Sequence, residues 1–205
     1  MEKVDLKKTL KHLYNPSTKA VEIVDVPEMN FLMIDGIGNP NTSEAFKNSI
    51  EALFSLAYTL KFISKKLPEA RDYTVMPLEG LWWTQEIPFD IENKDCWQWT
   101  LMVMQPENVT KSLFDEALAQ VQKKKNLLRY YSVRFESLKE GLCAQIMHKG
   151  PFSTEGRTID VLHGFINESG HTIVGKHHEI YLSDPRKAQP ENMKTILRQP
   201  IQTKL

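Results

Sequence analysis

Apolar and polar positions change period several times along the chain, and each change marks an element. VEIVDVPEMNFLMIDG, residues 21–36, reads as two strands separated at Pro27. A turn at Gly36-Ile37-Gly38-Asn39-Pro40 follows. The period then becomes helical, with Phe46, Ile50, Leu53, Phe54, Ala57 and Leu60 on one stripe and Tyr58 beside it, four residues from both Phe54 and Phe62. Asn41 with Glu44 predicts a capping-box start for this helix. YTVMPLEGLWWTQ and CWQWTLMVMQP return to strand character, and in the second Trp97, Trp99, Leu101 and Val103 share a face. A connecting helix over 107–128 carries the stripe Phe114, Ala117, Leu118 and Val121. YYSVRF and LCAQIMH then read as strands, Gly150-Pro151 as a turn, and EGRTIDVLHGFINESG as a helix stopped by Gly170. HHEIYLSDP is a strand ended by Asp184-Pro185, and MKTILRQPI is the last strand. Residues 1–19 form a polar lead-in, with a short helix ending at Asn15-Pro16.

The order strand, Gly turn, helix, strand, strand occurs before the connecting helix and again after it. DGIGNPN corresponds in position to HKGPF, and YTVMPLEGLWW to HTIVGKHHEIYL. A single glutamate interrupts an apolar strand in each half: Glu79 in the first, Glu179 in the second. The expected fold is α+β, with two βαββ modules related by a pseudo-twofold axis and antiparallel sheets around a central ligand cleft. The expected organisation is one domain over 20–205, with a first module at about 20–105 and a second at about 129–205.

Composition narrows the function. Apolar residues make up 41% and charged residues 25%, and the formal net charge is zero. A balanced charge offers no basic face for phosphates, so direct nucleic-acid binding is not expected. The run Lys123-Lys124-Lys125 reads as a solvated helix face. The N-terminus lacks an apolar signal core, and no segment approaches the roughly 20 apolar residues of a membrane helix. Cys96 and Cys143 form no CxxC or CxxH pattern, and the six histidines do not converge at metal-ligand spacing. The expectation is a reduced cytoplasmic protein, a monomer or weak homodimer, with no cofactor and no metal. GIGNPN lacks the third glycine of a dinucleotide loop and no GK[ST] follows, so a nucleotide site is not expected.

A carboxylate in an apolar strand is costly to bury without a partner. Glu79 and Glu179 therefore stand out, and aromatic residues surround them in sequence: Tyr58, Trp82, Trp83, Trp97, Trp99 and Tyr181. Flat π faces beside a carboxylate form a receptor for a flat organic cation. Two structural readings compete. Tryptophans in strands commonly serve as core, and Glu179 could pair with an internal Arg or Lys such as Arg186. Adjacent Trp82 and Trp83 face opposite ways in a regular strand unless Gly80 disturbs it.

At HHEIYLSDPRK, MPLEGLWW and HKGPF, over roughly residues 20–200, the sequence resembles the GyrI-like family of small-molecule-binding proteins. The resemblance implies two βαββ modules around a cleft, the fold of the effector domains of multidrug-responsive transcription activators. In those a second-module glutamate pairs with cationic aromatic drugs held between aromatic rings, and the matching position is Glu179. Residues 1–19 are too short for the activators' helix-turn-helix domain, so a free-standing binder is expected. The implied ligand site is Glu179, Tyr181, Tyr58, Glu79, Trp82, Trp83 and Trp99. A second branch with a PLEGLW-type segment implies an alternative: a detoxifying hydrolase that opens the cyclopropane ring of DNA-alkylating natural products. There Glu179 or Glu79 would activate water while a Tyr or His polarises the conjugated carbonyl, without a metal. A third possibility is a structural or partner-binding protein with a filled cleft.

Overall fold

Alternation and helical period become strands and helices where the sequence places them, with shifts at several ends. In the computed structural model, residues 3–67, 72–84, 94–124, 130 and 132–204 are described. The elements are β1 (Lys3–Val4), α1 (Leu6–Thr9), α2 (Lys11–Tyr14), β2 (Glu22–Val26), β3 (Met29–Ile37), α3 (Glu44–Ser64), β4 (Asp72–Tyr73), β5 (Leu78–Trp83), β6 (Gln98–Gln105), α4 (Lys111–Lys124), β7 (Arg134–Leu138), β8 (Gly141–Lys149), α5 (Glu155–Glu168), β9 (His171–Ile173), β10 (His177–Tyr181) and β11 (Lys194–Thr203). The fold is α+β, as expected, with a large antiparallel sheet and a short parallel pair of β1 with β4.

The cap of α3 differs from expectation. Ser43, not Asn41, is the N-cap, and its hydroxyl accepts the Phe46 N–H at 3.2 Å. Asn39 closes a local turn by accepting the Asn41 N–H, so the chain is still turning at Asn41. YYSVRF also starts its strand late, at Arg134. The expected end of the connecting helix at 125–128 lies outside the described residues.

The chain divides into two compact units. The first contains residues 1–6, 29–78 and 83–138; the second contains 7–28, 79–82 and 139–205. In the first, β3 pairs antiparallel with β6 on one side and β7 on the other. α3 packs on β3 and β6, and α4 packs on α3. Trp99 is fully buried there. It lies against Gly36, its cross-strand partner, where an added Cβ would fall 2.1 Å from the indole, and Phe46 meets it edge-on at 5.2 Å. Glycine at 36 is required because the ring occupies the volume a side chain would need.

In the second unit the strands run β2-β8-β11-β10, all antiparallel, with β9 on the far end of β11. β5 lies beside β10. α5 packs on β8, β9 and β11. Leu162 and Ile166 of α5 join Ala144, Ile146, Leu197 and Ile201 in a buried core. Gly170 follows α5 at φ +78°, the left-handed conformation of a helix stop.

Register across this sheet builds two different rows of side chains. Cross-strand partners point to the same face. His178, Arg198, Gln145 and Glu22 are in register across β10, β11, β8 and β2, and so form one polar row. One position along, Glu179, Leu197 and Ile146 form a row on the opposite face, the face that carries the α5 core.

Candidate functional site

The first row is a closed polar network. Glu79 is fully buried on β5. Its Oε1 accepts the Tyr14 hydroxyl at 2.8 Å, and its Oε2 faces His178 Nε2 at 3.0 Å. The other ring nitrogen of His178, Nδ1, lies 3.0 Å from both oxygens of Glu140. Carboxylates only accept, so both ring nitrogens donate and His178 is an imidazolium. Burial alone would depress its pKa, but Glu140 and then Glu79 reverse this and push it up to about 9. Glu140 is held down to about 2: burial opposes the shift, and the charges and hydrogen bonds of His178 and Arg198 overcome it.

Arg198 completes the row. Its guanidinium donates to Glu140 at 3.2 Å, to the Leu13 carbonyl at 2.7 Å and to Gln145 Oε1 at 3.1 Å. Gln145 Nε2 donates in turn to the His12 carbonyl and to Glu22. Two buried anions face two buried cations, and the partners converge from six separate stretches of chain. The Tyr14 hydroxyl stays protonated well above its usual range because it is buried and faces the Glu79 charge.

The second face is built differently. In β10, His178 and Ile180 point inward and are buried, while His177, Glu179 and Tyr181 are half-buried on the other side. The Glu179 side chain keeps 15% exposure. Its Oε2 accepts the Tyr181 hydroxyl at 2.8 Å, and the Tyr181 oxygen accepts the Trp82 indole N–H at 3.0 Å. His177 Nε2 lies 3.5 Å from Glu179 Oε1. Phe152 packs edge-on against Tyr181 at 5.7 Å. The Tyr181 pKa is raised well above its ordinary value, first by burial and then by the Glu179 charge, so the phenol remains a donor. Gly80 makes the Trp82–Tyr181 contact possible: a Cβ there would lie 2.9 Å from Trp82 Nε1 and 3.2 Å from the Tyr181 oxygen.

The fully buried acid is thus Glu79, while Glu179 keeps some exposure. Strand alternation gives the reason: His178 and Glu179 lie on opposite faces of β10, and the face of the closed network belongs to His178. Arg186, a possible counter-ion for Glu179, pairs instead with Asp184 in an exposed turn. Among the described residues no Lys or Arg forms an ion pair with Glu179.

Of the expected site residues, the structure joins Trp82, Tyr181 and Glu179 in one hydrogen-bonded chain and places Glu79 in the closed network. Tyr58, Trp83 and Trp99 belong to the first unit. Tyr58 is half-exposed on α3 beside Phe54, with ring centroids 6.4 Å apart, and Trp99 is core. Sequence reasoning missed Tyr14, Glu140, Gln145, His178 and Arg198. One signal was present: Arg198 interrupts the apolar run ILRQPI as Glu79 interrupts its own strand.

No group of three or more His, Cys, Asp or Glu among the described residues could hold a metal, and none of their helices is long and apolar enough to cross a membrane. Cys96 is exposed and Cys143 buried, and among the described residues neither forms a disulfide.

Comparison with known proteins follows the same lines. An uncharacterized conserved protein from Listeria innocua is 43% identical, with a TM-score of 0.91 over 97% of this chain and 100% of that one. A hydrolase from Listeria innocua is 42% identical, with a TM-score of 0.88 over 98% of this chain and 100% of that one. The C-terminal domain of EcmrR shares the fold at 12% identity and a TM-score of 0.55, over 90% of this chain and 98% of that one. No curated protein matches. Residues 19–202 match the GyrI-like small molecule binding domain, and the chain belongs to that family.

Proposed function

We propose that this chain is a hydrolase of flat, polycyclic small molecules, with Glu179 as the base that activates water. The observation that carries the reading is the state of Glu179. It is a half-buried carboxylate with one oxygen held by Tyr181, which is itself held by Trp82, and no Lys or Arg among the described residues neutralises it. A base needs that combination of fixed orientation and unspent charge. Kinship supports it too: a hydrolase matches this chain at 42% identity over nearly the full length of both.

A suitable substrate is a cyclopropane conjugated to a carbonyl within a flat polycycle. Glu179 takes a proton from water as the water oxygen bonds to a ring carbon. The strained C–C bond breaks, and its electron pair moves through the conjugated system to the carbonyl oxygen, which ends protonated. Tyr181 fixes the carboxylate rather than accepting the proton. Incubation with such a spirocyclic dienone should yield the ring-opened alcohol. Glu179→Gln should lower the rate about 10²–10⁴-fold while leaving substrate affinity within a few-fold. Loss of affinity and rate in equal measure would contradict the base role.

A second reading has its own support. An uncompensated carboxylate beside Tyr181 and Trp82 also suits a flat aromatic cation. In that case the protein is a multidrug-type binder: a rhodamine-type cation should bind wild type saturably, binding should collapse in Glu179→Gln, and no ring-opened product should form.

A further inference from the structure

The geometry points to His177 as the proton-relay partner of Glu179, a positioning residue that acts on the substrate only through that carboxylate; this rests on the hydrolase reading. His177 and Glu179 are two apart on β10 and share a face. The two oxygens of Glu179 are not equivalent. Oε2 is occupied by the Tyr181 hydroxyl at 2.8 Å, so Oε1 is the one available to take a proton from water. Oε1 faces His177 Nε2 at 3.5 Å. That nitrogen is buried and makes no hydrogen bond among the described residues, although the separation is only a small side-chain rotation from hydrogen-bond range. The ring is held beside the reacting oxygen without being committed to another acceptor through that nitrogen.

Other titratable groups bear on this pair, among them Glu155 of α5, whose charge helps raise the Tyr181 pKa. Tyr181 lies on the same strand and remains a phenol. From α5, His163 is kept below its ordinary pKa first by burial and then by the charge His177 carries whenever it is an imidazolium, against the pull of Asp160.

The proton balance is simple. Water gives its proton to Glu179 Oε1 as its oxygen bonds to the ring carbon. Glu179 passes the proton to the Nε2 lone pair of neutral His177, which becomes an imidazolium and restores the carboxylate. The imidazolium then releases the proton to solvent, and solvent protonates the oxygen that received the electron pair of the broken C–C bond. One water is consumed and both side chains end as they began.

The test is the ring-opening assay on the full chain, with wild type, His177→Gln and His177→Ala. Wild type should show a pH-dependent limb in kcat. His177→Gln should lose that limb, lower kcat about 10–100-fold and leave KM unchanged. Added imidazole should restore part of the His177→Ala rate. A kcat and pH profile unchanged in His177→Gln would overturn the relay and leave the hydrolase reading standing. A lowered kcat with the limb intact and no imidazole rescue would also overturn it, since that is what a packing role gives. Absence of product with wild type would overturn the hydrolase reading itself, and the relay with it.

Discussion

Glu79 and Glu179 occupy neighbouring strands and have opposite surroundings. Glu79 is fully buried, and both of its oxygens are engaged: Tyr14 on one, the His178 imidazolium on the other. Behind it, Arg198 and Glu140 complete a neutral set of two anions and two cations. Glu179 has one oxygen engaged and one facing a nitrogen that makes no hydrogen bond among the described residues. A carboxylate whose partners are complete has no charge left for a ligand, and its worth lies in holding chain segments together. A carboxylate with one oxygen engaged still has an oxygen to offer a ligand or a proton. The sequence presents both residues the same way, as a glutamate in an apolar run. Strand parity separates them.

The largest expected effect falls on the closed network. His178→Gln removes the cation between Glu79 and Glu140 and leaves two buried carboxylates facing a neutral amide. The cost should be ~3–5 kcal/mol, read by denaturant titration. A loss below ~1 kcal/mol would mean that the network is dispensable and would blur the contrast between the two acids.

The same network sets a pH signature. His178 has its pKa raised from 6.5 to about 9, so its stabilising contribution is complete below 6.5 and is lost as pH rises through 9. Glu140 has its pKa lowered from 4.5 to about 2, so its contribution is complete above 4.5 and is lost as pH falls toward 2. Together they give a plateau between pH 4.5 and 6.5 with a decline on either side. Denaturation free energies measured across pH should show that shape, and the alkaline decline should flatten in His178→Gln.

Smaller effects sharpen the open side. Tyr181→Phe frees Glu179 Oε2 and unseats the indole N–H of Trp82. A loss of about tenfold in kcat is expected from a looser carboxylate, with stability changed by ~1 kcal/mol. Gly80→Ala forces the Trp82 indole away from Tyr181, because the new methyl would sit 2.9 Å from its nitrogen. The expected result is a shifted tryptophan emission and a few-fold loss of kcat. An unchanged spectrum would mean that the indole does not rest against position 80.

Much of the fold was legible because period reports burial. β2 and β3 around Pro27, the stripe of α3, the stop at Gly170 and the strand holding Ile196 and Leu197 all follow from alternation and turn chemistry. The cap of α3 was misplaced by two residues because Asn41 and Ser43 are both good caps, and local turn geometry decides between them. The site was half legible. Glu179, Tyr181 and Trp82 could be named because acids and rings are conspicuous in strands. The closed network could not, because His178, Arg198, Gln145 and Glu22 come into line only through antiparallel register, and Tyr14 and Glu140 arrive from loop-side positions far away in the chain. Pairing register is a property of the folded sheet, and no local pattern carries it.

The most direct measurement is a paired comparison of Glu79→Gln and Glu179→Gln, each assayed for denaturation free energy and for ring-opening rate. Glu179→Gln should keep its stability within ~1 kcal/mol, because the isosteric amide can still accept the Tyr181 hydroxyl, and lose turnover. Glu79→Gln should lose stability by ~2–4 kcal/mol and, in the fraction that remains folded, keep a rate within a few-fold of wild type. The reverse pattern, a destabilised Glu179→Gln and a stable but inactive Glu79→Gln, would contradict the division of labour between the two acids.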